Sequence, residues 1–189
     1  MEVMIPAYVD GVLTPVEKLS VHEQGLKHLA ISVFVIAQSQ ILMQRRALTK
    51  YHTPGLWANT CCTHPHWGED TLAAAVRRLD DELGITGISL AKRDTVEYRA
   101  EVPPNLIEHE IADIFVGHCK IDHPIAPNPD EVFEYRWMSR NEIQYEIHKS
   151  PTAFTPWLKI YMANHADQIF NADDFSMLDR SDPIEGASD

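Results

Sequence analysis

Reactive side chains crowd one short stretch of the chain, Asn59-Thr60-Cys61-Cys62-Thr63-His64-Pro65-His66, where two thiols and two imidazoles fall within eight residues. The stretch lies just ahead of a helical pattern starting at Glu69. Backbone N–H groups and the dipole at a helix N-terminus favour anions, and such a position can lower a thiol pKa from about 8.5. The spacing therefore predicts thiol chemistry. The competing reading is two small buried cysteines beside histidines that decorate a loop.

A second set is carboxylate. In the apolar stretch 107–117, Glu108 and Glu110 stand two apart, so in a strand they project from one face with Ala112 and Ile114, while Ile107, Ile111 and Phe115 occupy the other. The expectation is core on the second face and a cleft at the acids, with a solvated acidic face as the alternative. Adding His22, His28 and His64 makes a possible set of three imidazoles and two carboxylates, suited to a divalent cation with five or six ligands and unlike a tetrahedral sulfur site. The basic residues Lys18, Arg45, Arg46, Lys50, Arg77 and Arg78 are few and concentrated, which in an acidic chain points to a small polyanionic ligand. Arg78 and Glu82 are four apart on one helical face and equally suit a plain surface ion pair.

Several elements must position these groups. Residues 30–37 (AISVFVIA) and 40–46 (QILMQRR) are β-rich with a two-residue polar break, which predicts a hairpin. A helix over 69–83 carries Leu72, Ala75, Val76, Leu79 and Leu83 as its buried stripe and stops at Gly84. Strands are expected at 94–100, 107–117 and 132–138, the last running into a helix opened by a Ser139 to Glu142 capping box. A final helix, capped by Thr155 with Pro156 at its first position, extends to about residue 170. The mixture predicts an α/β fold in which helices pack on the faces of a sheet.

Composition bounds the rest. At 189 residues, 44% hydrophobic and 23% charged, the chain suits one globular domain, expected over 1–170. Residues 171–189 hold six acids and one Arg and are expected to form a flexible acidic tail. The net charge of −12 argues against nucleic-acid and anionic-membrane binding. No apolar run approaches the roughly 20 residues of a membrane span, and no secretory signal pattern is read at the start. Three cysteines, two adjacent, predict reduced thiols and a cytoplasmic setting. No protein partner is inferred.

The segment from Thr63 to Ile85 resembles the Nudix box, whose helix carries acids that hold magnesium against a diphosphate; Glu69, Arg77, Leu79, Glu82, Gly84 and Ile85 fall on the pattern. Arg78 and Asp81 stand where a hydrolase has two metal-binding glutamates, so the resemblance implies diphosphate binding without hydrolysis. Together with RRALTKYHTPGLWANTCCTHP, EYRAEVPPNLIEHEIADIF and AFTPWL, the pattern from about residue 5 to 170 is similar to the type 1 isopentenyl-diphosphate delta-isomerase family. That family interconverts isopentenyl and dimethylallyl diphosphate by adding one proton and removing another, and the resemblance implies a single-domain Nudix-type mixed sheet between helices. By position it implies Cys62 as the catalytic thiol, rather than Cys61, and Glu110 as the catalytic carboxylate with Tyr98 beside it. It further implies His22, His28, His64, Glu108 and Glu110 as ligands of a divalent metal (Mn2+, Mg2+ or Zn2+), and Glu82 as the residue that helps hold Mg2+ on the diphosphate. Lys18, Arg46, Lys50 and Arg78 fall at the positions that grip the diphosphate, and Trp157 at an aromatic wall beside the isoprenyl tail. Five residues lie between His22 and His28, where the family pattern has six.

The chemistry asks for such a set. Protonating an unactivated alkene makes a tertiary carbocation that water would capture, so the site must be dry, and an indole face stabilises a desolvated cation by about 2 kcal/mol or more. An acid and a base must flank the substrate, and the diphosphate serves as an anchor whose binding positions the reacting carbons. Two other functions are weighed against this one: a Nudix diphosphohydrolase, and a non-catalytic module that binds a prenyl diphosphate or a metal.

Overall fold

The computed structural model describes residues 3–176. The chain opens with strands β1 (Met4–Val9) and β2 (Val12–Glu17), joined through Asp10 and Gly11, both at positive φ (50° and 80°). An Asp-Gly pair in that conformation matches the twist of a two-residue hairpin. The hairpin is absent from the sequence reading because Pro6 and Pro15 interrupt both runs; the two prolines face each other in the ladder. A short helix α1 (Lys18–Gln24) follows, its first N–H groups capped by the Glu17 carboxylate and its end closed by Gly25 in the left-handed region.

The expected hairpin forms as β3 (His28–Ala37) and β4 (Gln40–Arg46), paired at Ile36 and Ile41. Two short strands, β5 (Trp57–Ala58) and β6 (Cys61–Thr63), precede helix α2 (Thr71–Leu83). The remaining strands are β7 (Leu90–Val102), β8 (Leu106–His118) and β9 (Val132–Ser139), followed by α3 (Arg140–Lys149) with its capping box. Last come α4 (Pro156–Ile160), a wide π turn over Tyr161–His165, and α5 (Ala166–Ile169).

All described strands join one mixed sheet, in which β3 pairs antiparallel with β4 and β6 and parallel with β8. Because β3 is apolar on both faces it is buried on both. Ala30, Phe34 and Ile36 meet Trp157, Leu158, Tyr161 and Ile169 of the C-terminal helices. On the other side Ile31, Val33 and Val35 meet Leu79 and Leu83 of α2. The expected sheet between helices is the architecture found.

Three expectations are corrected. Helix α2 starts at Thr71, capped by Asp70, and its buried positions are Ala74, Ala75, Leu79, Glu82 and Leu83; Leu72 and Val76 are 41% and 49% exposed. The buried arc is rotated toward Ala74 and Glu82, which brings a carboxylate to the inner side of the helix. Thr155 adopts the capping backbone geometry, but its hydroxyl makes no cap bond. Residues Asn171–Ser176, expected in the tail, pack back: Asp174 is buried and pairs with Arg93 at 2.9 Å and His118 at 3.1 Å, and Ser39 Oγ donates to the Phe175 carbonyl. The rest of the expected tail, 177–189, lies outside the described residues.

Candidate active site

Backbone pairing sets the centre of the site. Glu110 on β8 lies opposite His28 on the parallel strand β3 and opposite Tyr98 on the antiparallel strand β7. The Tyr98 hydroxyl donates to Glu110 Oε2 at 2.6 Å, and His64 Nε2 lies 3.0 Å from Oε1. The face carrying both acids is not an open one: Glu108 and Glu110 are 1% and 8% exposed and continue the row of Ala112, Ile114 and Val116 that packs under α4 and α5. The opposite face, with Ile107 and Ile111, is the less buried one. The acids do border a cleft and Phe115 does pack into core on the other face, as expected, but the acid-bearing face also carries core at Ala112, Ile114 and Val116 because the C-terminal helices cover it.

His22, His28, His64, Glu108 and Glu110 converge so that one ligand atom from each lies within 4.8 Å of the others. The short helix α1 and its glycine exit bring His22 into the group despite its spacing. Carbonyl oxygens only accept, so His22 Nδ1 must donate to Lys18 O (2.6 Å) and His28 Nδ1 to Leu26 O (2.7 Å). Each Nε2 lone pair is thereby turned inward, as in metal sites where a carbonyl orients the ligand ring. His28 Nε2 then faces His64 Nε2 at 3.2 Å, and the buried His22 Nε2 and Glu108 Oε2 lie 3.2 Å apart with no hydrogen bond to any described residue. Burial pushes the His64 imidazole well below its ordinary pKa, which keeps it neutral and able to ligate. Burial alone would raise the Glu110 carboxyl, but the neighbouring His28 ring and the hydrogen bond from Tyr98 hold it below the usual range. Buried lone pairs meeting two carboxylates without donors between them fit a divalent cation. Glu82 stands outside this group: Arg78 holds its Oε1 at 2.5 Å and Gln44 its Oε2 at 2.8 Å.

The two thiols part company because β6 is a strand, not the loop the sequence suggests. Alternation sends Cys61 into the core beneath α2 and Cys62 to the cleft. Cys62 Sγ donates to Asn59 Oδ1 at 2.9 Å, and the Asn59 amide nitrogen is tied to the carbonyls of Val33 and Cys61. Ser32 Oγ lies 3.6 Å from the same sulfur and 3.2 Å from the Tyr161 hydroxyl. The predicted lowering of the thiol pKa is corrected: burial pushes Cys62 up to about 12. The thiol is neutral and carries its proton.

The expected basic residues Lys18, Arg46, Lys50 and Arg78 line one cleft with Cys62, Tyr98, Glu108, Glu110 and Trp157. Burial first, then Lys50, Arg78 and Arg46, bring the Lys18 ammonium down to about 8. The surface ion-pair reading of Arg78 and Glu82 fails, since Glu82 is 4% exposed. The Nε atoms of Arg46 and Arg78 are buried with no acceptor among the described residues, which is what an anion in the cleft would satisfy. Trp157 forms an apolar wall, with the Arg46 guanidinium 5.5 Å from its ring centroid.

Some of the lining was not read from the sequence. His52 is buried, stacks near His22 and sits 3.5 Å from Glu108, with burial bringing its pKa down to about 2. Its signal was its place inside the KYHTP stretch. Tyr51 and Thr63 also border the cleft, and Glu131 bonds both Lys50 and Arg78 from a turn with no motif around it.

A helix-flanked mixed sheet of this kind is shared with known proteins. A NUDIX domain model matches residues 26–158. DR0079 from Deinococcus radiodurans superposes with a TM-score of 0.67 at 14% identity, over 84% of this chain and 96% of that one. The Burkholderia pseudomallei MutT NUDIX hydrolase gives 0.57 at 18% identity, over 76% and 98%. These likenesses define a NUDIX-fold protein. The isopentenyl-diphosphate Delta-isomerase of Cereibacter sphaeroides is 58% identical over 170 residues, 90% of this chain and 96% of that one. That of Ruegeria pomeroyi is 53% identical over 173 residues, 92% and 96% respectively. The chain belongs to the isopentenyl-diphosphate delta-isomerase family within the NUDIX superfamily.

Proposed function

We propose that the protein interconverts isopentenyl diphosphate and dimethylallyl diphosphate by protonation and deprotonation through a tertiary carbocation. The observation that carries this reading is the convergence of a neutral thiol, Cys62, and a Tyr98-bonded carboxylate, Glu110, on a cleft that also presents four cations and an indole. Lys18, Arg46, Lys50 and Arg78 anchor the diphosphate, with Glu82 beside them as the residue that would share in holding Mg2+. Cys62 gives a proton to the alkene carbon on one side, and Glu110 takes one from the allylic carbon on the other; the same groups exchange roles in the reverse direction. Tyr98 holds the carboxylate in place, and Trp157 excludes water and faces the developing positive charge. A divalent ion held by His22, His28, His64, Glu108 and Glu110, whether Mn2+, Mg2+ or Zn2+, would supply fixed positive charge that orients Glu110 and tunes its acidity.

A diphosphohydrolase is disfavoured because Arg78, standing at a hydrolase metal position, ties up Glu82 and also pairs with Glu131. A purely binding module has no need of Cys62, Tyr98 and Glu110 together. The test is incubation with isopentenyl diphosphate and a divalent ion in deuterated water, followed by NMR. Dimethylallyl diphosphate carrying deuterium is expected; phosphate release without that product would reject the isomerase.

A further inference from the structure

We propose that Glu131 is a positioning residue that holds Lys50 and Arg78 together as a preformed seat for the substrate's diphosphate. The inference rests on the isomerase reading for the identity of the substrate. One carboxylate oxygen, Oε2, accepts a short bond from Lys50 Nζ and another, at 3.1 Å, from Arg78 Nη2. These cations come from unrelated elements, the loop after β4 and the middle of α2, and the shared oxygen fixes one against the other. Glu131 is itself fixed: its carbonyl accepts from Ala47 N at 2.9 Å and its N–H donates to Asn128 O at 3.0 Å, immediately before β9 begins.

The cleft needs such a residue. Lys18, Arg46, Lys50 and Arg78 repel one another, and the lowered pKa of the Lys18 ammonium records that repulsion after burial. A flexible lysine facing three other cations gains by turning out to solvent unless an acid holds it. Burial opposes ionisation of Glu131, yet the bonds from Lys50 and Arg78 keep its carboxyl below the ordinary range, so it stays charged. It does not exhaust its partners. An ammonium has three donors and a guanidinium five, and Glu131 takes one from each. Arg78 Nε, buried without an acceptor among the described residues, remains for a phosphate oxygen. The net effect is preorganisation: the cost of gathering two cations is met in the free protein and not on binding.

The test uses the full chain with Mg2+ and inorganic pyrophosphate in a titration calorimeter, alongside isomerase kinetics, for the wild type, Glu131→Gln and Glu131→Asp. Glu131→Gln should weaken pyrophosphate binding about ten-fold and raise KM for isopentenyl diphosphate by a similar factor, with kcat falling no more than about three-fold. Glu131→Asp, which restores the charge, should recover most of the affinity. Unchanged or tighter pyrophosphate binding by Glu131→Gln overturns the inference, as does an Asp variant no better than Gln or a loss confined to kcat. Thermal melts of both variants keep a folding defect apart from a binding one. A wild type that binds pyrophosphate but forms no dimethylallyl diphosphate would sink the isomerase reading, while the calorimetric comparison would still judge Glu131.

Discussion

Two alanine substitutions one residue apart should have opposite consequences. Cys61 is fully buried among Ile31, Val33, Ala75 and Leu79, on the side of the sheet away from the cleft. Cys61→Ala removes one sulfur from that core, comparable with one or two methylenes, and should cost about 1 to 2 kcal/mol of stability. For a domain of this size that is a fall in Tm of about 2 to 8 °C, with kcat within about two-fold of wild type. Cys62 is only partly buried and faces the cleft, so Cys62→Ala should shift Tm little. On the proposed mechanism it removes a proton-transferring group, and such groups contribute about 10²- to 10⁴-fold, equivalent to roughly 3 to 5.5 kcal/mol of barrier. Scanning fluorimetry and NMR detection of dimethylallyl diphosphate give both readouts from one preparation. Equal loss of activity in two folded variants, or full activity in Cys62→Ala, would refute the argument from strand alternation.

Tyr98→Phe deletes the 2.6 Å bond to Glu110 and should lower kcat about 10- to 100-fold while destabilising the fold by about 1.5 to 3 kcal/mol, read by kinetics and urea denaturation. Removing divalent ions with a chelator should abolish isomerisation and lower Tm, because three imidazoles and two carboxylates are left facing one another; adding back Mn2+ or Mg2+ should restore both, and full turnover by protein shown metal-free would contradict the assignment. Glu69 accepts two hydrogen bonds from Arg77, which first among several causes bring its pKa from 4.5 to about 2. Since the folded-state value is the lower one, this contribution is complete above about pH 4.5 and lost as pH falls towards 2. In Glu69→Gln the acid limb of a Tm-versus-pH curve should therefore be shallower.

The parts of the fold that periodicity encodes were legible. The doubly apolar run 30–37 became the central strand, and the two-residue break after it became a hairpin. The N-terminal hairpin was hidden because its strands contain prolines, which read locally as breakers. Helix α2 was found, but not its rotation: Leu72 and Val76 are as apolar as Leu79, and only the position of the sheet leaves them outside. The candidate site was legible where a motif held its residues in order, as around Cys62 and Glu110. Glu131 and His52 were not, since an acid in a turn and a histidine in a loop acquire meaning only from the cations or ligands that the folded chain places beside them. Asp174 belongs with them; an acidic composition predicts a solvated tail and carries no sign of the Arg93 and His118 that receive it.

The adjacent cysteines make β6 tolerant of a slip in one respect and intolerant in another. Were that strand displaced by a single position against β3, a sulfur would still look into the cleft, because Cys61 would take the place of its neighbour. The imidazole of residue 64 has no such understudy: the same displacement would carry it through the sheet to the side of α2 and leave the proposed cation site one nitrogen short. An insertion or deletion in this short strand should therefore announce itself first as weakened ion retention, with the count of thiols lining the cleft unchanged.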